Sequence, residues 1–356
     1  MAASPGLVER QLRRGLNGLK YVAGTSPPPV GRSPKDTVWR RDRAELWRYR
    51  GGEVRHGPPI LIVHSLVSKS YVLDLLPGNS MVRFLVDEGF DVFLLDWGIP
   101  DSAEAANTLE TYVDHYLPEV VRATCETAAA RELTLVGYCY GGILTLLLKA
   151  RHPDLPIRNL VSLATPVDYT KMGFMTGMFR AGRLDPDMVI DRTGMVPQEV
   201  MDAGFQSLKP TDQAVQAVNL WQNLWNDDFV TGFQALNRWA RDQVPFPGAL
   251  FRQTVDMIVR DNGLMTGRIR LGGRDVDLKD IRCPFLNVLA EQDTIVPADS
   301  AAPLPGLVGS EDSSELRLDS GHVGFVAGRQ AAKVARPQIA EWMRSHSDPV
   351  ATGGGG

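Results

Sequence analysis

The feature that most constrains the fold is a cysteine flanked by glycines, set between an apolar strand-like run and an apolar helix-like run. The strand-like run at 133–137 ends at Gly137, and the helix-like run begins just after Gly142. Between them stands the pattern Gly-x-Cys-x-Gly, centred on Cys139. This pattern is typical of a nucleophile elbow, a strained strand-to-helix turn in which larger flanking side chains would collide with the crossing backbone. We therefore predict that Cys139 is a nucleophile at a helix N-terminus, where the helix dipole favours the thiolate.

The same five residues could also form a glycine-flanked turn around an inert buried cysteine. The two readings differ in their context, because an elbow needs a strand before it and a helix after it. Both are present in the pattern around Cys139, which favours the elbow.

Length and composition limit the classes of protein that this chain can be. Its 356 residues allow one large α/β domain with an insertion, or two domains. A net charge of −4 gives no electrostatic support for nucleic-acid binding. The three cysteines, an odd number, suit neither a disulfide framework nor a zinc site and fit a reducing compartment. No apolar run is long enough for a membrane span and no signal peptide is apparent, so we expect a cytoplasmic protein with no transmembrane segment.

Apolar strand-like runs alternate with helix-like runs through most of the chain. Such alternation, with nearly continuous apolar strands, predicts a mostly parallel central sheet with helices on both faces, the α/β-hydrolase type of architecture. We assign residues 36–165 and 281–346 to this core. The predicted strands lie at 59–64, 91–97, 133–137, 159–165, 283–290 and 315–318.

Four segments fall outside that pattern. Residues 1–35 predict a helix and then an extended loop, and residues 37–50 predict two edge strands. Residues 166–280 interrupt the alternation and are rich in methionine and aromatic residues. An insertion at this point lies over the edge of the sheet where the elbow opens, so we expect a helical cap. The tail, residues 347–356, ends in four glycines and is expected to be disordered.

A cysteine nucleophile needs a base, and the chain has only six histidines. In this fold the nucleophile comes first in the chain, then the acid, then the histidine. His322 alone satisfies that order with a strand before it and a helix after it. His64 ends the first buried strand and could approach the oxyanion loop. The remaining histidines lie in polar loops, in a helix before the elbow or in the tail: His56, His115, His152 and His346.

The acid of the triad should follow the strand that lies between the elbow and His322. Asp293 does so, and Glu291 is its nearest competitor. Asp319 is too close in sequence to His322 to orient it easily. We assign His322 as the general base, and Asp293 as the residue that fixes the imidazole tautomer and stabilises its cation.

Two backbone N–H groups should stabilise the oxyanion of a tetrahedral intermediate. In this fold they belong to the residue after the nucleophile, Tyr140, and to the loop after the first buried strand, where we choose Val67. A thiolate also exchanges readily with a thioester of matched basicity and leaves an acyl-enzyme that is still activated. The cysteine therefore hints at acyl transfer from a coenzyme A thioester, although some proteins with a cysteine elbow are hydrolases.

The motif residues together resemble those of the polyhydroxyalkanoate synthases, over roughly residues 35–345. The elbow Gly137-Tyr-Cys-Tyr-Gly-Gly142, Asp293 and His322 match the family's triad pattern. Further matching segments are 70–80, 96–98, 112–116, 164–168, 270–274 and 281–284.

The short length and the triad spacing look most like the class III catalytic subunit. That resemblance implies polymerisation of (R)-3-hydroxyacyl-CoA into a polyester with release of CoA, and no cofactor or metal. It also implies a small helical partner subunit, a possible homodimer and a location at the surface of polyester granules. Thr294, His64 and Ser65 depart from the family's pattern and put substrate range and loop geometry in doubt. A polyester or thioester hydrolase and a non-catalytic granule protein remain the alternatives.

Overall fold

The computed structural model of the protein describes residues 6–22, 28–207, 212–328 and 331–350. Its strands follow in chain order. They are β1 (Lys35–Arg41), β2 (Ala44–Tyr49), β3 (His56–Val63), β4 (Asp74–Leu76), β5 (Asn79–Ser80), β6 (Phe90–Asp96), β7 (Leu133–Tyr138), β8 (Ile157–Leu163), β9 (Met195–Val196), β10 (Phe246–Pro247), β11 (Ile269–Leu271), β12 (Arg274–Val276), β13 (Phe285–Ala290), β14 (Ser313–Leu318) and β15 (Asp348–Pro349).

The helices cover the sheet and fill the insertion. The α-helices are α1 (Leu7–Val22), α2 (Met81–Asp87), α3 (Leu117–Ala128), α4 (Tyr140–Arg151), α5 (Phe174–Arg180), α6 (Gln198–Ser207), α7 (Asp212–Asn223), α8 (Asp227–Ala240), α9 (Gly248–Gln253), α10 (Gly263–Thr266), α11 (Ala298–Ala301), α12 (Leu304–Leu307) and α13 (Arg336–Ser345). Stretches of π-helix occupy Thr111–Tyr116, Thr254–Arg260 and Ala331–Ala335, and 3₁₀ turns occupy Ser70–Leu73, Ser102–Glu104, Tyr169–Lys171, Pro186–Met188 and Leu278–Asp280.

The central sheet is mostly parallel, as the alternation predicts. Its order is β1-β2-β6-β3-β7-β8-β13-β14. The strands from β6 to β14 run parallel, whereas β1 and β2 form an antiparallel margin. The expectation of two edge strands at 37–50 is wrong for the second of them, because β2 pairs with β6 as well as with β1.

Both faces of the sheet are buried. Along β3, Leu61 and Val63 belong to one apolar cluster, and Ile60 and Ile62 belong to the other. Alternate side chains of a strand point to opposite faces, so this division means that each face has its own core. This two-sided burial is the fold-level reason for the nearly continuous apolar strands.

The segment between β8 and β13 holds helices and short strand pairs outside the central sheet. Here β9 pairs with β10, and β11 pairs with β12. The helix α8 packs against the segment 70–76, which follows β3 in the core. The insertion therefore contacts the chain close to the carboxyl end of β3.

The two ends of the chain differ from their predictions in detail. The expected helix at the N-terminus is present as α1, and part of the expected loop at 24–34 lies outside the described residues. The expectation of a disordered tail is wrong at β15, which pairs antiparallel with the start of β3. Residues 351–356 lie outside the described residues. Among the residues that are described, no helix combines the length and apolar character that crossing a membrane requires.

Candidate active site

Cys139 occupies a sharp turn between β7 and α4. Its φ angle is 55°, in the region that residues other than glycine rarely adopt. A Cβ on Gly137 would lie 2.5 Å from the Cα of Gly142, and a Cβ on Gly141 would lie 2.7 Å from the carbonyl oxygen of His64. The glycines are therefore required by close backbone approach, as the elbow pattern predicts.

His322 follows β14 and lies beside Cys139 and Asp293, so the structure brings the three residues together. Its Nδ1 is 2.7 Å from Oδ2 of Asp293. Cys139 lies close enough to His322 for its side chain to raise the pKa of the imidazole. Both the imidazole and the carboxylate are almost completely buried. The residues predicted as nucleophile, base and orienting acid therefore lie together, and a hydrogen bond joins the predicted acid to the predicted base.

The turn after β13 selects Asp293 over the other candidate acids. Oδ1 of Asp293 accepts hydrogen bonds from the backbone N–H groups of Ile295 and Val296, both at 2.8 Å. This leaves Oδ2 aimed at the imidazole. Glu291 is exposed, and Asp319 is exposed and bonded to the Gln292 side chain. Neither competitor therefore occupies the buried place beside His322 that Asp293 holds.

The surroundings of His322 favour its charged form. Burial by itself lowers the pKa of this imidazole, but the negative charges of Asp293 and Cys139, together with hydrogen bonds to both, raise the pKa to about 10. The Asp293 carboxylate is the strongest of these charged influences. His322 is therefore an imidazolium at neutral pH in the resting protein, in a position to donate a proton.

The loop after β3 lies directly against the elbow, because the backbone at His64 approaches Gly141. We call residues 65–71 the oxyanion loop. Within it, the backbone N–H of Val67 donates to Oγ of Ser65 at 3.5 Å, a long hydrogen bond. The backbone N–H of Tyr140 belongs to the first residue of α4, where such groups have no acceptor within the helix. Both predicted donors thus lie on elements that meet at the elbow.

His64 approaches the oxyanion loop, as its position predicts. Its Nε2 lies 3.1 Å from Oγ of Ser68, while Nδ1 is buried and has no hydrogen-bond partner among the residues that the structure describes. Burial lowers the pKa of His64 to about 3, so this imidazole is neutral. It acts on the loop as a fixed hydrogen-bonding group and not as a second acid.

Sequence reasoning missed the role of Tyr138. Its ring stacks on the His64 ring with centroids 5.6 Å apart, and on the His322 ring with centroids 5.3 Å apart. Its hydroxyl donates to the carbonyl oxygen of His322 at 3.2 Å. Tyr138 therefore helps to fix the His322 imidazole next to Cys139. Its place in the elbow, one residue before Cys139, was the signal that could have found it.

The insertion shields the site. Cys139 is only 9% exposed. Ala235 and Trp239 of α8 belong to the same apolar cluster as Cys139. The side chain of Tyr140 reaches Thr254, with the two hydroxyl oxygens 2.6 Å apart. No sequence pattern marks these contacts, since they join residues that are more than ninety positions apart.

The chain is similar to two families of known proteins. The model of the α/β hydrolase fold matches residues 58–328. The model of the poly-beta-hydroxybutyrate polymerase N-terminus matches residues 28–85. Among solved structures, esterase Est1E from Butyrivibrio proteoclasticus aligns with a TM-score of 0.51 at 15% identity, covering 88% of this chain and 99% of that one. The structural likeness supports the fold alone.

Two relatives extend the similarity to nearly the whole chain. The poly(3-hydroxyalkanoate) polymerase subunit PhaC of Allochromatium vinosum is 36% identical over 330 residues, covering 92% of this chain and 92% of that protein. The protein of the same name from Thiocystis violacea is 33% identical over 333 residues, covering 93% of each. The matched region includes the elbow, the oxyanion loop and the insertion.

Proposed function

Since the chain belongs to the family of poly(3-hydroxyalkanoate) polymerase subunits PhaC, we propose that it is an acyltransferase that polymerises (R)-3-hydroxyacyl groups from CoA thioesters. The growing product is a polyester, and CoA is released at each addition. The observation that carries the proposal is the buried hydrogen bond between Asp293 and His322, beside Cys139. It supports a covalent thioester intermediate on Cys139.

Acylation of Cys139 is the first half of the proposed reaction. The thiolate attacks the carbonyl carbon of the acyl-CoA, and the backbone N–H groups of Tyr140 and Val67 donate to the oxyanion. The bond between that carbon and the CoA sulfur then breaks. The departing CoA thiolate takes the proton held by His322, and the acyl group stays on Cys139 as a thioester. The raised pKa of His322 supports its role as the proton donor.

Transfer to an alcohol completes the cycle. The now neutral His322 removes the proton from the 3-hydroxyl of another hydroxyacyl unit, and the hydroxyl oxygen attacks the thioester carbonyl. An ester bond forms, Cys139 leaves as a thiolate, and His322 is again an imidazolium held by Asp293. The shielding of Cys139 from solvent, at 9% exposure, favours this acceptor over water.

The other cysteines are poor candidates for the nucleophile. Burial is the main influence that raises the pKa of Cys125 to about 11, and burial also raises the pKa of Cys283. Both thiols therefore stay protonated at neutral pH, and at Cys283 the charge of Lys149 offsets the effect of burial only in part. They provide matched controls for substitution of Cys139.

The test is CoA release and product analysis with purified protein and (R)-3-hydroxybutyryl-CoA. We expect CoA together with insoluble polyester. Cys139→Ala should lower CoA release roughly 10³-fold or more, whereas Cys283→Ala should leave it within about two-fold. Soluble 3-hydroxybutyrate in place of polymer would identify a hydrolase. A folded protein that neither releases CoA nor acylates Cys139 would support a non-catalytic granule protein.

We also propose that the chain acts at polyester granules as one subunit of a larger enzyme. The name of the relatives, which calls them polymerase subunits, supports a partner chain. The resemblance to the class III synthases makes a small helical partner the first candidate, and a homodimer the second. Co-expression with such a partner should raise the rate of CoA release and yield a co-purifying complex. An unchanged rate and a lone chain of monomeric mass would contradict both assignments.

A further inference from the structure

The oxyanion loop, residues 65–71, is attached to the insertion through its backbone. Ser68 forms an isolated antiparallel bridge with Gln243. The indole N–H of Trp239 donates to the carbonyl oxygen of Lys69 at 2.7 Å. Residues 235–243, which we call the covering segment, therefore hold the loop immediately after Val67.

Asp242 adds the charged part of this attachment. Its Oδ1 lies 2.8 Å from Nζ of Lys69, and its Oδ2 accepts the hydroxyl of Tyr71 at 3.0 Å. Both members of the Lys69–Asp242 pair are about one-quarter to one-third exposed, so solvent screens the pair only in part. A single carboxylate from the insertion thus joins two side chains of the loop.

The opposite side of the loop is fixed to the central sheet. His64 reaches Oγ of Ser68 at 3.1 Å, and the indole N–H of Trp97 donates to the carbonyl oxygen of His64 at 2.9 Å. Both His64 and Trp97 are buried, and they follow neighbouring strands, β3 and β6. The loop is therefore held between a rigid strand end and the covering segment.

Trp239 and Ala235 belong to the same apolar cluster as Cys139, which is only 9% exposed, and we infer that an acyl-CoA enters only when the covering segment moves. That movement breaks the contacts of Asp242 with Lys69 and Tyr71. We propose that Asp242 is a positioning residue. Its contacts with Lys69 and Tyr71 fix the geometry of the oxyanion loop only while the covering segment lies over the site. The Val67 N–H donates to Oγ of Ser65 in this structure and is then turned towards the oxyanion only when the insertion is closed over bound substrate. This inference rests on the proposed role of Val67 as an oxyanion donor.

The test uses Asp242→Asn and two readouts that depend differently on the loop. The first is the burst of p-nitrophenolate released when p-nitrophenyl butyrate acylates Cys139, which needs the oxyanion hole. The second is alkylation of Cys139 by iodoacetamide, which needs access but no oxyanion hole. We expect the burst rate constant to fall roughly ten-fold and alkylation to become several-fold faster. A residue with a merely structural role would not move the two rates in opposite directions.

Two further variants serve as controls. Asp242→Glu keeps the carboxylate and should restore most of the burst rate. Asp187→Asn removes an ion pair with Arg252 elsewhere on the insertion and should change neither rate. An Asp242→Asn protein with the parent's burst rate, or with slower or unchanged alkylation, would overturn the proposal. If (R)-3-hydroxybutyryl-CoA gives no polymer while the two rates still diverge as expected, the proposed polymerase activity fails and the coupling stands.

Discussion

Nδ1 of His322 lies 2.7 Å from Oδ2 of Asp293, and both side chains are almost fully buried. The other carboxylate oxygen is bound by two backbone N–H groups of the turn after β13. The acid cannot rotate away without losing those hydrogen bonds. It therefore presents one oxygen to Nδ1 of the imidazole and fixes the orientation of the ring.

Replacement of the acid should lower the catalytic rate without removing the nucleophile. Asp293→Asn cannot stabilise the imidazolium, so we expect kcat for CoA release to fall roughly 10²- to 10⁴-fold. The measurement is steady-state CoA release from (R)-3-hydroxybutyryl-CoA. Glu291→Gln is the matched control, because Glu291 is exposed. Equal losses in the two variants would mean that the wrong acid has been assigned.

The raised pKa of His322 should appear as a pH dependence of stability. A histidine whose pKa is raised on folding stabilises the protein fully below its unfolded pKa of about 6.5, and this stabilisation is lost as pH rises through the folded value. The folded value is about 10. Between pH 6.5 and 10 we therefore expect the free energy of unfolding, measured with urea, to fall more steeply in the parent than in His322→Gln. Parallel curves would contradict a charged His322.

His64 should produce the opposite dependence on the acid side. Its pKa is lowered by burial to about 3, so the unfolded chain binds a proton there that the folded chain does not. Stability is then lost as pH falls from about 6.5 towards 3. His64→Gln should lose less free energy of unfolding over that range than the parent does. Urea unfolding at pH 7 and at pH 4 measures the free energy of unfolding that each protein loses between these values. If the parent and His64→Gln lost the same amount, His64 would not be buried in its neutral form.

The close backbone approach at the elbow predicts a stability difference between two glycines. Gly141→Ala places a methyl group against the carbonyl oxygens of Val63 and His64. We expect a loss of about 1–3 kcal/mol in the free energy of unfolding. Gly204→Ala in α6 is the control, since a Cβ there meets open space and alanine favours a helix by roughly 0.5–1 kcal/mol. Urea unfolding of both variants measures the contrast, and equal stability would exclude a crowded elbow.

Short-range sequence patterns predict the helices and strands that surround the site, but they misplace some helix and strand boundaries by a few residues. Apolar residues at helical spacing predict a helix over 79–88, but the helix begins at Met81, because Asn79 and Ser80 pair with β4 and Ser80 caps the helix through its side chain. The tail, which is expected to be disordered from residue 347, adds β15 to the sheet. Asp348 and Pro349 pair antiparallel with Gly57 and His56 at the start of β3. In both cases a pairing with a separate strand decided the outcome.

The sequence by itself determined the elbow, the candidate base and the parallel core. Glycine spacing, apolar periodicity and the order of residues along the chain all act through near neighbours or through a known connectivity. Only the tertiary structure decided which carboxylate reaches His322, and only it brought Tyr138, Thr254 and Asp242 to the site. The physical reason is that their contacts depend on how distant segments pack. Asp242 meets Lys69 across the oxyanion loop, 173 positions away in sequence, and no local pattern encodes such a distance.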